Sequence, residues 1–384
     1  QQSHVGNRLP TQTVRFGGRT EHFTDHRGRR HTRWVDTCDI LAVPYDVPVS
    51  GYRNEIVNTL RLWSASATDE FNLVDFNAGD YAEAVASKNQ AENITMVLYP
   101  NDANENGKQL RLRQQYFLTS ASLQDVFRQW GDRPLSEFAE GNVFQLNDTH
   151  PSIAVAEMMR ILMDDEDKRL DWNRAWNITT RCMAYTNHTL LPEALERWPV
   201  RLFERMLPRL LEIIYEINAR FLADVRQRWP GDIDRIRRMS LIEEGPEPQV
   251  RMAWLAIVGS FSVNGVAALH SKLLTEGLFK DFYELWPDKC NNKTNGVTPR
   301  RWLAMANPEL AALLTEKIGD GWQADLGRLA AMRPWAENGD RAFLRRWQEI
   351  RLHNKQRLAE LVKKTTGVRF DPAALFDIQV KRIH

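Results

Sequence analysis

Three short polar runs hold most of the side chains in this sequence that could do chemistry: Asn147–Asp148–Thr149–His150, Thr186–Asn187–His188–Thr189 and Val263–Asn264–Gly265–Val266. Between them they offer carboxylate, imidazole, amide and hydroxyl groups, which donate to and accept from hydroxyls. Few apolar or cofactor-type residues accompany them. That inventory suits a polyhydroxylated ligand, a sugar. Each run follows or ends a short apolar segment that reads as a strand. The three are therefore expected at the carboxyl ends of strands, where open α/β sheets bind ligands. Taken singly, any one of them is better explained as a helix cap or a satisfied buried polar group; three at one sheet edge point to a site. His150 and His188 could ligate a metal, but no carboxylate–histidine spacing supports one, and no metal is expected. The sequence contains no G-x-x-x-x-G-K-[ST], no G-x-G-x-x-G after a strand, and no H-E-x-x-H, C-x-x-C or G-x-S-x-G. Nucleotide-cradling, zinc-hydrolase, thiol-redox and serine-hydrolase chemistry are thus left without a motif.

The elements that must position these runs follow from hydrophobic periodicity. Residues 13–50 read as β-rich, with prolines suited to edges or loops. A helix is predicted over 51–65, and a polar, alanine-rich helix over 80–93 that faces a partner subunit or solvent. Further on, strand, polar loop and helix alternate. NVFQL (142–146) reads as a strand, and 152–163 as a helix capped by Ser152. A helix over 172–182 leads into the strand 183–185. A helix starting near Pro192, PEALERWP, is expected to back the loop 186–189. The segment 203–229 reads as one helix, with Leu207, Leu210, Ile214, Ile217, Phe221 and Val225 at helical spacing. MSLIE (239–243), a helix near 250–257, the strand-like 260–266 and a helix through His270 repeat the theme. A loop over 293–303 enters a helical stretch, 304–365. The alternation predicts an α/β fold with a doubly wound, Rossmann-like domain.

Composition narrows the function classes. The 384 residues suffice for two domains. Lys plus Arg number 51 against 50 Asp plus Glu, so no basic field exists to attract nucleic acid or a membrane surface. Cys38, Cys182 and Cys290 are odd in number and far apart, which fits a reducing compartment, and a cytoplasmic location is expected. No apolar run approaches membrane-spanning length, and the polar start, QQSHVGNRLP, is not read as a signal peptide. The 13 tryptophans are platforms on which sugar rings could stack, or large core fillers, the commoner use of any one of them.

Longer runs carry a resemblance. TNHTLLPEALERWPV, QLNDTHPSIAVAEMMR, YEINARFL, RRMSLIEEG, FSVNGVAALHS, FKDFYELWPDKCNNKTNGVTPRRWL and LFDIQVKRIH resemble the α-glucan phosphorylases of glycogen, starch and maltodextrin, from about Val14 to His384. The resemblance implies a GT-B architecture of two Rossmann-like domains. Residues 1–294 would form most of the glucan-binding catalytic domain, and 295–384 the beginning of the pyridoxal-phosphate domain. It also implies reversible phosphorolysis: orthophosphate releases a terminal α-1,4-linked glucose as glucose 1-phosphate, with pyridoxal 5′-phosphate relaying a proton through its own phosphate. By matching motif, the backbone carbonyl and ring of His188 face the glucosyl unit, with Asn187 beside it. Asp148 and His150 line the cleft near the acceptor sugar. Val266 and Asn295 touch the glucosyl ring and hydroxyls. Asn101 and Asp102 begin a gating loop. Trp302 lies on the cofactor side, and Arg382 binds substrate phosphate. A homodimer is implied as well.

The departures are equally specific. The family's cofactor lysine lies in an EASGTGNMK-like segment, which does not occur here, so the chain is expected to be an internal piece lacking both ends and inactive alone. Where AMP-regulated members carry two adjacent arginines, this chain has Arg128–Gln129. The alternative function is a non-catalytic glucan-binding or dimerisation module of the same ancestry.

Overall fold

The computed structural model describes residues 10–26, 28–68, 86–98, 100–101 and 104–380. The chain divides into two compact units, Gln1–Gly51 with Glu55–Asn295, and Tyr52–Asn54 with Gly296–His384.

The first unit begins with strands, as expected for 13–50: β1 (Gln12–Phe16), β2 (Arg19–Thr24), β3 (Arg30–Val35) and β4 (Cys38–Ser50). The predicted helix over 51–65 is instead a strand, β5 (Val57–Ala67), paired antiparallel with β4 along its whole length, Ile40 opposite Ala67 and Ser50 opposite Val57. Its burial shows why. Trp63, Ala65 and Ala67 are buried while Leu60 and Leu62 are exposed, a period of two with no helical stripe. The helix Ala86–Met96 packs on β5, burying Ala91 and Ile94. The described part of the helix expected over 80–93 is thus docked within its own unit, and residues 80–85 lie outside the described residues.

The helix Glu105–Trp130 crosses next, started by Asn104, whose side chain accepts from Gly107 N. It meets the helix Ala154–Asp164, buried along 154–162. That second helix starts two residues later than expected. Ser152 does not cap it; its Oγ is buried without a hydrogen-bond partner. The helices Ala154–Asp164 and Met252–Gly259 come close because residue 259 is glycine: a Cβ there would sit 2.5 Å from the Val155 methyl carbons.

β6 (Phe144–Asn147), β7 (Met183–Thr186), β11 (Ser262–Gly265) and β12 (Cys290–Asn292) make a four-stranded, wholly parallel sheet. Its order is β12-β11-β7-β6, so the strands follow one another across it in chain order. The α/β class is therefore observed, with helices between parallel strands. Between β7 and β11 lies a small antiparallel sheet, β8 (Arg197–Pro199), β9 (Ile242–Glu243) and β10 (Gln249–Arg251), in the order β8-β10-β9. It replaces the expected PEALERWP helix. Only Pro192–Ala194 forms a 3₁₀ turn before β8 begins, since the six residues between Pro192 and Pro199 are too few for a stable helix. The single helix expected over 203–229 is two, Val200–Met206 and Pro208–Arg228. Pro208 has no N–H to continue the first and sits at the favoured first position of the second. The predicted stripe Leu210, Ile214, Ile217, Phe221 and Val225 is buried.

In the second unit, the stretch 304–365 breaks into the helix Pro308–Ile318, two 3₁₀ segments, and the helices Arg333–Glu337 and Arg341–Thr366. A small core of Ala311, Leu314 and Trp322 holds it.

Within the first unit's core, Glu157 is fully buried and paired with Arg160, at 2.7 Å to Nε and 2.8 Å to Nη2. Ser120 Oγ at 2.6 Å and Tyr116 OH at 3.2 Å also donate to it. Burial, reinforced by the Glu157 charge, pushes the Tyr116 phenol far above its ordinary range, so Tyr116 stays a donor. Breaking such a pair leaves the buried guanidinium with only the partly exposed Asp165, at 3.6 Å, as counter-charge among the described residues. Glu157→Ala should therefore lower stability by about 3–5 kcal/mol, read as a shift in the urea midpoint; a loss below about 1 kcal/mol would show that Arg160 finds water instead.

Candidate functional site at the carboxyl edge of the parallel sheet

The parallel strands end together, which brings the three polar runs to one edge. The edge is stitched across strands by side chains. Gln145 Nε2 donates to Thr186 Oγ1 and Thr186 Oγ1 to Asn264 Oδ1, both at 2.8 Å, and Asn264 Nδ2 donates to Gly265 O at 2.8 Å. Backbone bonds continue the stitching beyond the strands: Asp148 N to Thr186 O at 3.0 Å, and Asn187 N to Asn264 O at 3.0 Å. A fourth segment joins them after β12. Lys293 N reaches Gly265 O at 3.1 Å and Asn295 N reaches Val266 O at 3.0 Å. The structure thus brings Asp148, His150, Asn187, His188, Val266 and Asn295 to one edge.

Local sequence explains the shape of each loop. Asp148 adopts a positive φ of 66°, which an aspartate tolerates better than most residues, and its Oδ1 accepts from Thr149 N at 2.7 Å. Gly265 is needed for close approach: a Cβ would meet Ser271 Oγ at 2.5 Å and Ser271 Cα at 2.9 Å. The loop then turns so that Val266 N donates to His270 Nδ1 at 3.0 Å, which places the proton of that ring on Nε2.

Two neighbours in the loop 186–189 have opposite roles. Asn187 is fully buried, its Nδ2 donating to Tyr185 OH at 3.1 Å and its Oδ1 accepting from Thr189 N at 3.0 Å. Both ends of the amide are spent on holding the loop. Burial pushes the Tyr185 phenol well above its ordinary range, so it remains a neutral partner. His188, by contrast, is exposed, with Nε2 2.6 Å from Asn147 Oδ1. That bond ties the ring to the end of β6.

A group that the sequence reading did not single out lies beside it. Glu196, just before β8, accepts from Thr149 Oγ1 at 2.8 Å, Gln115 Nε2 at 2.8 Å and Arg111 Nη2 at 3.1 Å, and lies 4.0 Å from His150 Nε2. Arg111 and Gln115 stand four apart on the helix Glu105–Trp130 and so share a face. The i, i+4 pairing was readable; its target was not, because Glu196 lay in a segment read as helix. A cavity of about 680 Å³ opens here, its wall including Trp63, Arg111, Gln115, Asn147 and His150. It falls in the size range of small-ligand pockets.

The remaining expected residues lie elsewhere. Asn101 is exposed, a few residues before the helix Glu105–Trp130. Trp302 belongs to the second unit, on a π-helical turn, and is 64% exposed. Asp102 and Arg382 lie outside the described residues. Among the described residues no cluster of His, Cys, Asp and Glu could hold a metal ion, and no helix is long and apolar enough to cross a membrane.

A parallel α/β sheet thus carries a carboxyl edge set with amides, hydroxyls and imidazoles. Comparison with known proteins gives its family. Residues 4–384 match the carbohydrate phosphorylase family, and the chain belongs to that family. It is 51% identical to the muscle form of glycogen phosphorylase from Bos taurus and to that from Homo sapiens. It is 50% identical to the brain form from Bos taurus. Each match covers 97% of this chain, and the chain spans 44% of the length of each of these relatives.

Because Asn187 holds the loop with both ends of a buried amide, Asn187→Ala strands the Thr189 N–H and the Tyr185 hydroxyl. The expected cost is about 1–3 kcal/mol, the penalty for a buried polar group left unpaired. Chemical denaturation measures it, and an unchanged midpoint would show that the loop does not depend on this amide.

Proposed function

We propose that the protein to which this chain belongs is an α-1,4-glucan phosphorylase, cleaving terminal α-1,4-linked glucose with orthophosphate to yield glucose 1-phosphate. Membership of the carbohydrate phosphorylase family carries this reading. The polar sheet edge supports it, since it offers the mixed donors and acceptors a sugar requires. His188 is assigned to the reacting glucosyl unit, its ring oriented by Asn147. Val266 and Asn295, joined by a backbone bond, are assigned to the same sugar. Asp148 and His150 face the acceptor side, where Glu196 and Arg111 extend the polar wall. Asn101 and Asp102 are assigned to a gating segment and Arg382 to substrate phosphate, for which a guanidinium's fixed charge and forked donors suit it.

Pyridoxal 5′-phosphate would supply a phosphate able to pass a proton to and from the substrate phosphate. The residues present do not fit its tether. Lys289, whose ammonium burial lowers to about 8, is bound to the carbonyls of Ile257 and Val258 at the other edge of the sheet. Trp302, the proposed cofactor-side residue, is largely exposed. No step is therefore routed through the cofactor here, and these 384 residues by themselves are assigned glucan contact without turnover.

The GT-B pairing of two Rossmann-like domains, with residues 1–294 on the glucan side and 295–384 starting the cofactor side, belongs to the same proposal. So do a homodimer and a cytoplasmic location; the three free cysteines are compatible with the latter. We also assign no AMP control, because Arg128 and Gln129 both donate to Asp125, at 2.8 and 2.6 Å, and are not held ready for a phosphate.

The test is His188→Ala in a phosphorylase carrying this segment at the relatives' full length. A contact strengthened in the transition state should cost about tenfold to a hundredfold in kcat/KM, with kcat falling alongside. The His188 ring is exposed, so the melting temperature should change little. Unchanged kinetics with a lowered melting temperature would make His188 a purely structural residue.

A further inference from the structure

The edge of the parallel sheet opposite the polar loops holds a cavity that glucan phosphorolysis leaves unused. Its volume is about 710 Å³. The helices Trp172–Cys182 and Pro208–Arg228 bound it, together with the segments leading into β11 and β12. Rings form its walls. Trp172 and Trp176 stack on each other at 6.4 Å and 20°, and Phe221 lies 5.5 Å from Trp286.

Two donors stand on this wall. Ser260 is fully buried, and its Oγ has no hydrogen-bond partner. Lys289 sits 3.7 Å over the Trp286 ring, and among the described residues its ammonium is hydrogen-bonded to backbone carbonyls alone, Ile257 O at 3.3 Å and Val258 O at 3.5 Å. The rim charges do not answer this need: Arg181, Arg220 and Asp224 are exposed, and Arg220 is paired with Glu216 at 2.6 Å. Lys289 is half-buried, and desolvation of its ammonium holds the amine down to about 8.

A slot walled by flat rings selects a flat apolar ligand. A cation and an orphan hydroxyl on its wall select an acceptor, best an anionic one. A sugar would instead need donors and acceptors distributed around its ring. We propose that this cavity binds a planar aromatic carboxylate, its ring against the tryptophan and phenylalanine walls and its carboxylate toward Lys289 and Ser260. Binding would raise the Lys289 pKa, so affinity is full below about 8 and falls as the ammonium loses its proton above it. Arg181, Arg220 and Asp224 are the other charged groups on the cavity's lining, and burial pushes the neighbouring Cys290 thiol up.

The experiment is calorimetric titration of the chain at neutral pH with naphthalene-2-carboxylate and with its neutral isostere, naphthalene-2-carboxamide. The carboxylate should bind roughly tenfold more tightly. Lys289→Met should abolish that preference, and Ser260→Ala should weaken carboxylate binding by about threefold. Binding of neither compound, equal binding of both, or an undiminished preference in Lys289→Met would overturn the assignment. Displacement of the carboxylate by maltopentaose would overturn it too, and make the cavity a sugar site. If Lys289→Met does not fold, the preference of the unaltered chain and the effect of Ser260→Ala decide the same question.

Discussion

The bond from Thr186 Oγ1 to Asn264 Oδ1, at the last turn of two parallel strands, fixes everything that happens at the site. Parallel strands have evenly spaced, slanted backbone bonds and do not by themselves define where a strand stops. Here side chains do. Thr186 receives from Gln145 on one side and donates to Asn264 on the other, so three strands are locked in register at their ends. Asn264 then uses its amide nitrogen on Gly265 O, leaving no freedom for the loop that follows. With the register fixed, the loops after β6, β7 and β11 must emerge side by side.

That stitching consumes polar groups expected from the sequence to meet a ligand. Asn187 and Asn264 are both buried and both committed. What remains outward is a smaller set, His188 and Asp148 above all, each aimed by a committed neighbour. His188 takes its orientation from Asn147, and the backbone of Asp148 is held by Thr186 O. The division is physical. A buried amide costs little when both its ends are satisfied and a great deal when one is not, so the residues that build the edge cannot also be the ones that exchange partners during a reaction.

The sequence displayed some of this plainly and hid the rest. Strand–loop–helix alternation exposed the parallel sheet, and the buried stripe from Leu210 to Val225 stood out because its period was helical over many residues. β5 departs from the expected helix because the hairpin with β4 sets a period of two, burying Trp63, Ala65 and Ala67 and exposing Leu60 and Leu62. The segment from Pro192 to Pro199 departs from the expected helix because propensity favours a helix over EALER, whereas a 3₁₀ turn at Pro192–Ala194 and pairing of Arg197–Pro199 with β10 decide otherwise. A helix there would conceal Glu196. A carboxylate whose partners come from a helix 81 and 85 residues away, and from a loop 47 residues away, has no local signature.

The two edges of the sheet differ for the same reason that the strands are parallel. All four strands run one way, so every helix that precedes a strand delivers its end to one edge, and every loop that follows a strand is delivered to the other. The leaving edge collects short polar loops. The entering edge collects helix ends and large side chains ahead of the strands, Trp286 before β12 among them, and the helix that leads into β7 carries Trp172 and Trp176. Tryptophans that the core cannot wholly absorb there leave flat faces around a hollow, and Lys289, placed one residue before β12, has to pass through it. The helix Met252–Gly259 ends against the same hollow, so its last-turn carbonyls at Ile257 and Val258 receive the ammonium. The polar site and the aromatic cavity are thus two consequences of one strand direction.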